Sequence, residues 1–184
     1  MSRKKFYLMV LILVSLFFSS CAIIGTPVLD SIETVDQVDL ERYTGVWYEI
    51  ASLPTTFAKN LVCVTATYTI MEDGKVEVLN QGYKGSTDGK LSSITGTAWV
   101  PNPEEPGQLK VRFFPIIPPS QYNIIVLDEE EYSYAMVTGK NYNYLWILSR
   151  TPQMESETYD MLIQKAEDWG FDVAQIKVTP QTCW

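Results

Sequence analysis

The chain has 184 residues, with 14 lysines and arginines against 22 aspartates and glutamates and a formal net charge of −8. A surface with that excess of acid repels phosphates, so nucleic acid is a poor partner. Histidine is absent, which removes Ser-His-Asp and Cys-His catalysis, histidine-ligated haem and most zinc sites together, and no metal or other cofactor is implied.

Arg3, Lys4 and Lys5 open the chain, and Phe6 to Phe18 is apolar apart from Ser15. That run is too short to span a bilayer, which takes about 20 residues, and it suits the apolar region of an export signal. Ser19 and Ser20 lead into Cys21. The segment resembles a bacterial lipoprotein signal, in which the cysteine is lipidated and becomes the mature N-terminus. Leucine is usual three residues before such a cysteine; Phe18 stands there instead. The alternative is ordinary secretion, with Cys21 an incidental thiol. Several acyl chains on one cysteine anchor stably, at about 0.8 kcal/mol per buried methylene. Ala22 after the cysteine, rather than aspartate, implies by the same resemblance the outer membrane of a Gram-negative bacterium, with the chain lipid-anchored at its periplasmic face. Residues 1–20 are therefore read as signal peptide, 21–37 as lipidated tether and 38–184 as one domain with a sizeable core. Loss of the signal would leave 11 basic against 22 acidic residues.

The tether is small, polar and acidic, without periodicity. Val38 to Tyr43 fits a short helical turn. From Val46 onward, short runs between turn signals predict strands over Val46–Leu53, Cys63–Met71, Lys75–Asn80, Leu91–Val100, Leu109–Phe114, Tyr122–Leu127, Tyr132–Thr138 and Tyr144–Leu148. Glu72-Asp73-Gly74 is a hairpin signal, and Pro101 to Gly107 is a loop. Thr151-Pro152 stops the last strand. Met154, Tyr159, Leu162, Ile163 and Ala166 then recur at helical spacing, with Glu155 and Glu157 in the first turn and Gly170 as the stop. Residues 154–168 are thus one amphipathic helix packed outside the sheet, and Ala174–Val178 is a last short strand. The fold class is all-β. Eight short antiparallel strands close into an up-and-down barrel just wide enough for one small ligand, with a flat sandwich as the competing architecture.

With Cys21 acylated, Cys63 and Cys183 are an even pair in an oxidising compartment. A disulfide between them would tie the tail to an early strand, worth roughly 4–5 kcal/mol by loop entropy. Two separate thiols are the alternative.

Three segments carry a family resemblance: Gly45 to Ala51, Tyr122 to Asp128 with Tyr132 to Val137, and Tyr144 to Pro152. They resemble the lipocalin family, and the likeness spans nearly all of the mature chain. Pro54 to Phe57, Cys63 to Tyr68 and Met71 to Gln81 are similar to its apolipoprotein D branch. The signal and Phe171-Asp172-Val173 are similar to its bacterial outer-membrane lipoproteins, from which the turn at Glu129–Glu131 departs by one extra residue. The resemblance implies that Gly45, Trp47 and Arg150 close the barrel base, the guanidinium lying over the indole for about 0.5–2 kcal/mol. Above that base it implies a cup for an apolar ligand.

Strand alternation decides which residues face inward. Trp47 inward puts Glu49 and Ala51 on the same face, and Arg150 beside Trp47 puts Leu148, Trp146 and Tyr144 inward. The resemblance implies Tyr68, Asn80, Tyr122 and Trp146 as pocket positions; period two adds Val64, Ala66, Val76, Val78, Ile124 and Val126. The candidate ligand-binding set is Glu49, Tyr68, Asn80, Tyr122, Ile124 and Trp146, mostly apolar with a few polar groups, as small-molecule sites are. Inward aromatics would serve equally as core filling, and Asn80 as a hairpin cap. Glu49 would point at Arg112 or a ligand head group, or else be a buried acid near the base with a water partner. The mouth loops are Pro54–Leu61, Gly82–Lys90 (with Tyr83), Pro115–Ser120 and Gly139–Asn143. Phe113 to Pro119 is too apolar for an ordinary solvated loop. Phe114, Ile116 and Ile117 are candidate contacts with a membrane or with a second copy in a homodimer; the alternative has both isoleucines folded back over the barrel.

The expected function is non-enzymatic: binding, storage or transport of amphipathic lipids, fatty acids or lysophospholipids, at the outer membrane. Two other classes compete. A free Cys63 could act as the nucleophile of a lipid-isomerising enzyme, and a barrel filled by its own side chains would be an envelope interaction protein.

Overall fold

The computed structural model describes residues 32–56 and 58–184; the segment read as export signal, Cys21 and the first part of the stretch read as tether lie outside the described residues. Ile32 and Val35, within the stretch read as tether, already pack on the body of the protein, and the Val35 N–H donates to the Ile124 carbonyl at 2.9 Å.

A single helical turn, α1 (Leu40–Tyr43), precedes the sheet. Asp39 begins it by accepting hydrogen bonds from the Glu41 and Arg42 N–H groups, two of the donors that a helix start leaves unpaired. Eight strands follow: β1 (Gly45–Ser52), β2 (Leu61–Ile70), β3 (Val76–Lys84), β4 (Leu91–Trp99), β5 (Gln108–Arg112), β6 (Ser120–Leu127), β7 (Tyr134–Thr138) and β8 (Leu145–Ser149). Each pairs antiparallel with the next, and β8–β1 and β1–β2 pairings close the ring. The barrel rather than the sandwich is the architecture.

Two layers of core result. Inward residues from all around the ring meet in one cluster, from Trp47 and Tyr68 to Ile124 and Leu148. On the outside, α2 (Ser156–Asp168) buries Leu162 and Ala166 against Ile50, Ala51, Met136 and Ile147. The helix stops where Gly170 takes φ +88°, a left-handed conformation that glycine enters without steric cost, and Phe171 turns back to donate to the Ala166 carbonyl. The last predicted strand is divided: Val173–Gln175 forms a 3-10 turn, and only β9 (Lys177–Val178) pairs, along Ala51 and Ser52 of β1.

The sheet holds three bulges, one of them in β2 between Val62 and Thr65, and the other two overturn predicted facings. A register shift between Glu49 and Ala51 puts Ala51 on the outer face under α2, against the strict period, while Ser52 returns inward opposite Trp146. A second shift between Ile124 and Val126 likewise sends Val126 outward, where it pairs with Met136. One inserted residue reverses the facing of all that follow in the strand. The strand β3 also runs past its predicted end, so Gly82 and Tyr83 belong to the sheet, opposite Ser92 and Leu91, and not to a mouth loop.

Candidate ligand-binding cup

The closed end is built around Arg150. Its guanidinium lies 3.9 Å from the centre of the Trp47 ring. Nη1 donates to the carbonyls of Thr44 at 2.8 Å and Val46 at 3.1 Å, Nη2 to Arg42, and Nε to Tyr132 at 3.2 Å. Gly45, at φ +91°, brings the backbone close beneath it; a side chain there would start 3.4 Å from Nη1. A second arginine, Arg42, covers the Tyr132 ring at 4.1 Å and donates to the Glu129 and Glu130 carbonyls, so the lengthened acidic turn is tied to α1 at the base.

Above this plug, three tyrosines form a floor. The Tyr122 hydroxyl is 2.8 Å from that of Tyr43 and 2.8 Å from that of Tyr68. Burial pushes the Tyr68 hydroxyl up to about 12 and those of Tyr43 and Tyr122 well above 10, so all three stay neutral. A void of about 10 Å³ lies among Leu40, Tyr43, Tyr68, Val76, Leu109 and Tyr122, room for no more than one water. The lower half of the barrel is therefore filled. Ile124, fully buried one inward position below Tyr122, belongs to that filled half.

The upper half differs. Val64, Ala66, Asn80, Phe113 and Trp146 face inward yet are only half-buried, and Ile94, opposite Asn80, is 37% exposed. Inward side chains in a closed barrel gain that exposure only if its upper interior is open. The wall is mainly apolar, with Asn80, Ser52 and Glu49 as polar points. Trp146 stacks on Tyr144 at 6.0 Å, near the rim. Two glycines shape the wall: a Cβ at Gly96 would lie 2.6 Å from the Phe113 ring, and one at Gly82 would lie 3.1 Å from Val64. The inward Phe113 was missed in the sequence, where it reads as part of the apolar loop; Gly96 inside a strand was the available signal, since such a glycine marks a close approach.

Glu49 does not meet Arg112. Arg112 is on the outer face, 5.6 Å from the centre of the Trp99 ring. Glu49 is instead high on the inner wall, 8% exposed, with Oε1 accepting from the Thr179 hydroxyl at 2.6 Å and the Ser52 hydroxyl at 2.9 Å. Burial raises its pKa against the pull of those two donors. Thr179 arrives from the C-terminal tail, which follows β9 into the seam between β1 and β2. There Gln181 donates to the Glu49 and Val64 carbonyls, the Cys63 N–H donates to the Pro180 carbonyl at 2.7 Å, and a disulfide joins Cys63 to Cys183. No side chain of the tail was read as part of the wall from sequence.

At the rim, Phe114 is 50%, Ile116 95% and Ile117 52% exposed. Neither isoleucine folds back over the barrel.

A family model described as a lipocalin-like domain matches residues 38–181. The chain is a lipocalin. Relatives of this lipocalin include temperature-induced lipocalin-1 of Arabidopsis thaliana, 41% identical and covering 82% of this chain and 83% of that one. The outer membrane lipoprotein Blc of Vibrio cholerae is 40% identical over 90% of this chain and 94% of its own. Apolipoprotein D of Mus musculus is 36% identical over 79% and 78%. Among solved structures, insecticyanin from the tobacco hornworm Manduca sexta superposes with a TM-score of 0.66 at 19% identity, covering 84% of this chain and 85% of that one, which speaks to the fold alone.

Proposed function

We propose that this lipocalin binds and carries single amphipathic lipids, fatty acids or lysophospholipids, in the upper half of its barrel. The carrying observation is the contrast between a filled, tyrosine-floored base and an inner wall above it whose apolar residues stay half-exposed. Apolar lining with a few convergent polar groups is what small-molecule sites present. Burial of a long acyl chain at about 0.8 kcal/mol per methylene supplies ample gross affinity before ordering costs. Ligand contacts fall to Asn80, Trp146, Tyr122 and Glu49, with Tyr68 in the floor and Ile124 packed beneath it. No step needs a catalyst, and Cys63 in a disulfide has no thiol to offer as nucleophile.

The place of action is the outer membrane, with Cys21 lipidated. This reading rests on the signal-like N-terminus and on the relative named as an outer membrane lipoprotein. Phe114, Ile116 and Ile117 would then rest in the bilayer surface and let a lipid enter without crossing water; a homodimer through the same loop is the competing use. Lipid extraction of the protein purified with its membrane, followed by mass spectrometry, tests the proposal directly. One bound amphiphile per chain is expected. An empty cup, together with failure to bind a fluorescent fatty acid, would end it.

A further inference from the structure

The charge of the cup wall carries an inference about the head group, and it rests on the lipid-binding reading above. Glu49 pairs across the sheet with Leu148, an inward residue, and sits two positions after the inward Trp47, so its carboxyl faces the barrel interior. Both of its hydroxyl donors, Thr179 and Ser52, reach the same oxygen, Oε1. Among the described residues, none donates to Oε2. A nearly buried carboxyl is costly unless its acceptors are used, and here one is left for whatever fills the cup.

Among the described residues no ion pair is made to it. Arg112 is outside, over Trp99, and Arg150 is beneath the floor, over Trp47. Lys59, Lys84, Lys90 and Lys140 are exposed at the rim, and Lys177 of β9, opposite Ser52, is exposed as well, where an ion pair in water contributes little. A carboxylate brought down the wall would meet a fixed acid and no base, and one of the two would have to take up a proton.

We infer that the cup selects amphiphiles whose head group donates a hydrogen bond to Glu49 Oε2, an ammonium or a hydroxyl, over those ending in a bare carboxylate. Ser52 and Thr179 orient the carboxyl by holding Oε1, and the alkyl chain lies along Trp146, Ile94 and Phe113.

Displacement of a neutral environment-sensitive dye from the full-length protein, at about pH 7 and physiological ionic strength to screen surface charge, tests this. The competitors share one chain length: hexadecylamine, hexadecanol and palmitate. The amine and the alcohol are expected to displace the dye at concentrations at least about tenfold lower than palmitate. In Glu49→Gln, the amide oxygen still accepts from Ser52 and Thr179 while its N–H₂ faces the cup. The amine should lose about tenfold, the alcohol should stay near wild type, and palmitate should improve. Palmitate matching the amine in the wild type, or an unchanged ranking in Glu49→Gln, would overturn the inference and mean that heads stay at the rim. The wild-type ranking decides the matter even if the variant does not fold. Displacement by none of the three would instead defeat the lipid-binding reading itself.

Discussion

Replacing Arg150 by alanine separates what holds the barrel from what selects a ligand. The guanidinium donates to four backbone carbonyls and covers Trp47 from 3.9 Å. Hydrogen bonds from a charged donor contribute about 1.5–3 kcal/mol each when well buried. Arg150 is half-exposed, so screening reduces them to about 0.5 kcal/mol each, or about 2 together. The cation–π contact adds about 1 kcal/mol. The sum, about 3 kcal/mol, corresponds to a fall in Tm of about 6–12 °C for a domain of this size. Arg150→Lys should recover about a third of it, because an ammonium keeps the cation over the ring but lacks a fork that reaches four carbonyls. Differential scanning calorimetry reads the stability, and dye binding well below the transition reads the cup. Affinity should stay within about twofold of wild type, since the tyrosine floor stands between Arg150 and the ligand. A Tm loss under about 2 °C, or loss of binding at a temperature where the protein is still folded, would refute this division of labour.

Removing the disulfide by Cys63→Ser with Cys183→Ser should cost up to about 5 kcal/mol, the loop-entropy value for a separation of 120 residues, measured by denaturant unfolding against the oxidised protein. Gly96→Ala places a Cβ 2.6 Å from the Phe113 ring and 2.9 Å from the Arg112 carbonyl, so it should destabilise by about 1–3 kcal/mol and change dye affinity through the displaced Phe113. Ile116→Ser with Ile117→Ser should leave stability within about 0.5 kcal/mol, since both side chains are more than half exposed, yet slow lipid transfer from vesicles; undiminished transfer would remove the loop from the proposed entry route. The raised pKa of Glu49 has a direct consequence for stability. The native state keeps this proton above the unfolded value of 4.5, so the stabilisation is full below 4.5 and is lost as pH rises through the raised value. Glu49→Gln should therefore gain on the wild type in Tm across that window, and a difference independent of pH would contradict the burial of the carboxyl.

Much of this molecule is legible in its sequence because period-two alternation and turn residues act locally. Glycine and aspartate at Asp73-Gly74, three prolines between Pro101 and Pro106, and Gly170 after α2 each fix a boundary with the chain at hand. The base is legible too, since Trp47 and Arg150 are chemically distinctive and far apart in sequence, and their meeting defines the closure. What escaped depends on contacts the local pattern does not carry. Whether Ala51 and Val126 face in or out is set by bulges at Glu49–Ala51 and Ile124–Val126, and nothing in those residue types announces an inserted position. Tyr68 and Tyr122 read as pocket lining, whereas their hydroxyls are linked to each other across the barrel and mark how shallow the cup is. That link requires Tyr43 from α1 as a third member, outside the strands altogether.

The seam between β1 and β2 ties these omissions together. Near the base the two strands pair directly from Gly45 to Tyr48, but beyond that point β9 takes the place of β2 on this edge of β1, while β8 holds the other edge. A bulge in β1 and a bulge in β2, within which Cys63 takes a positive φ of 52°, both fall where the strands part. Two departures from regular strand geometry on facing strands at one place are the cost of admitting the tail. In return Gln181 bridges the two strands, Thr179 hydrogen-bonds Glu49, and the disulfide locks the insertion. The C-terminus is thus a piece of the cup wall. An unfastened tail would leave Glu49 with Ser52 alone as its donor, so loss of the disulfide should alter head-group preference as well as stability. A disulfide acting only on the unfolded chain would lower stability and leave preference untouched. Comparing amine and palmitate displacement in the oxidised and serine-substituted proteins distinguishes the two roles.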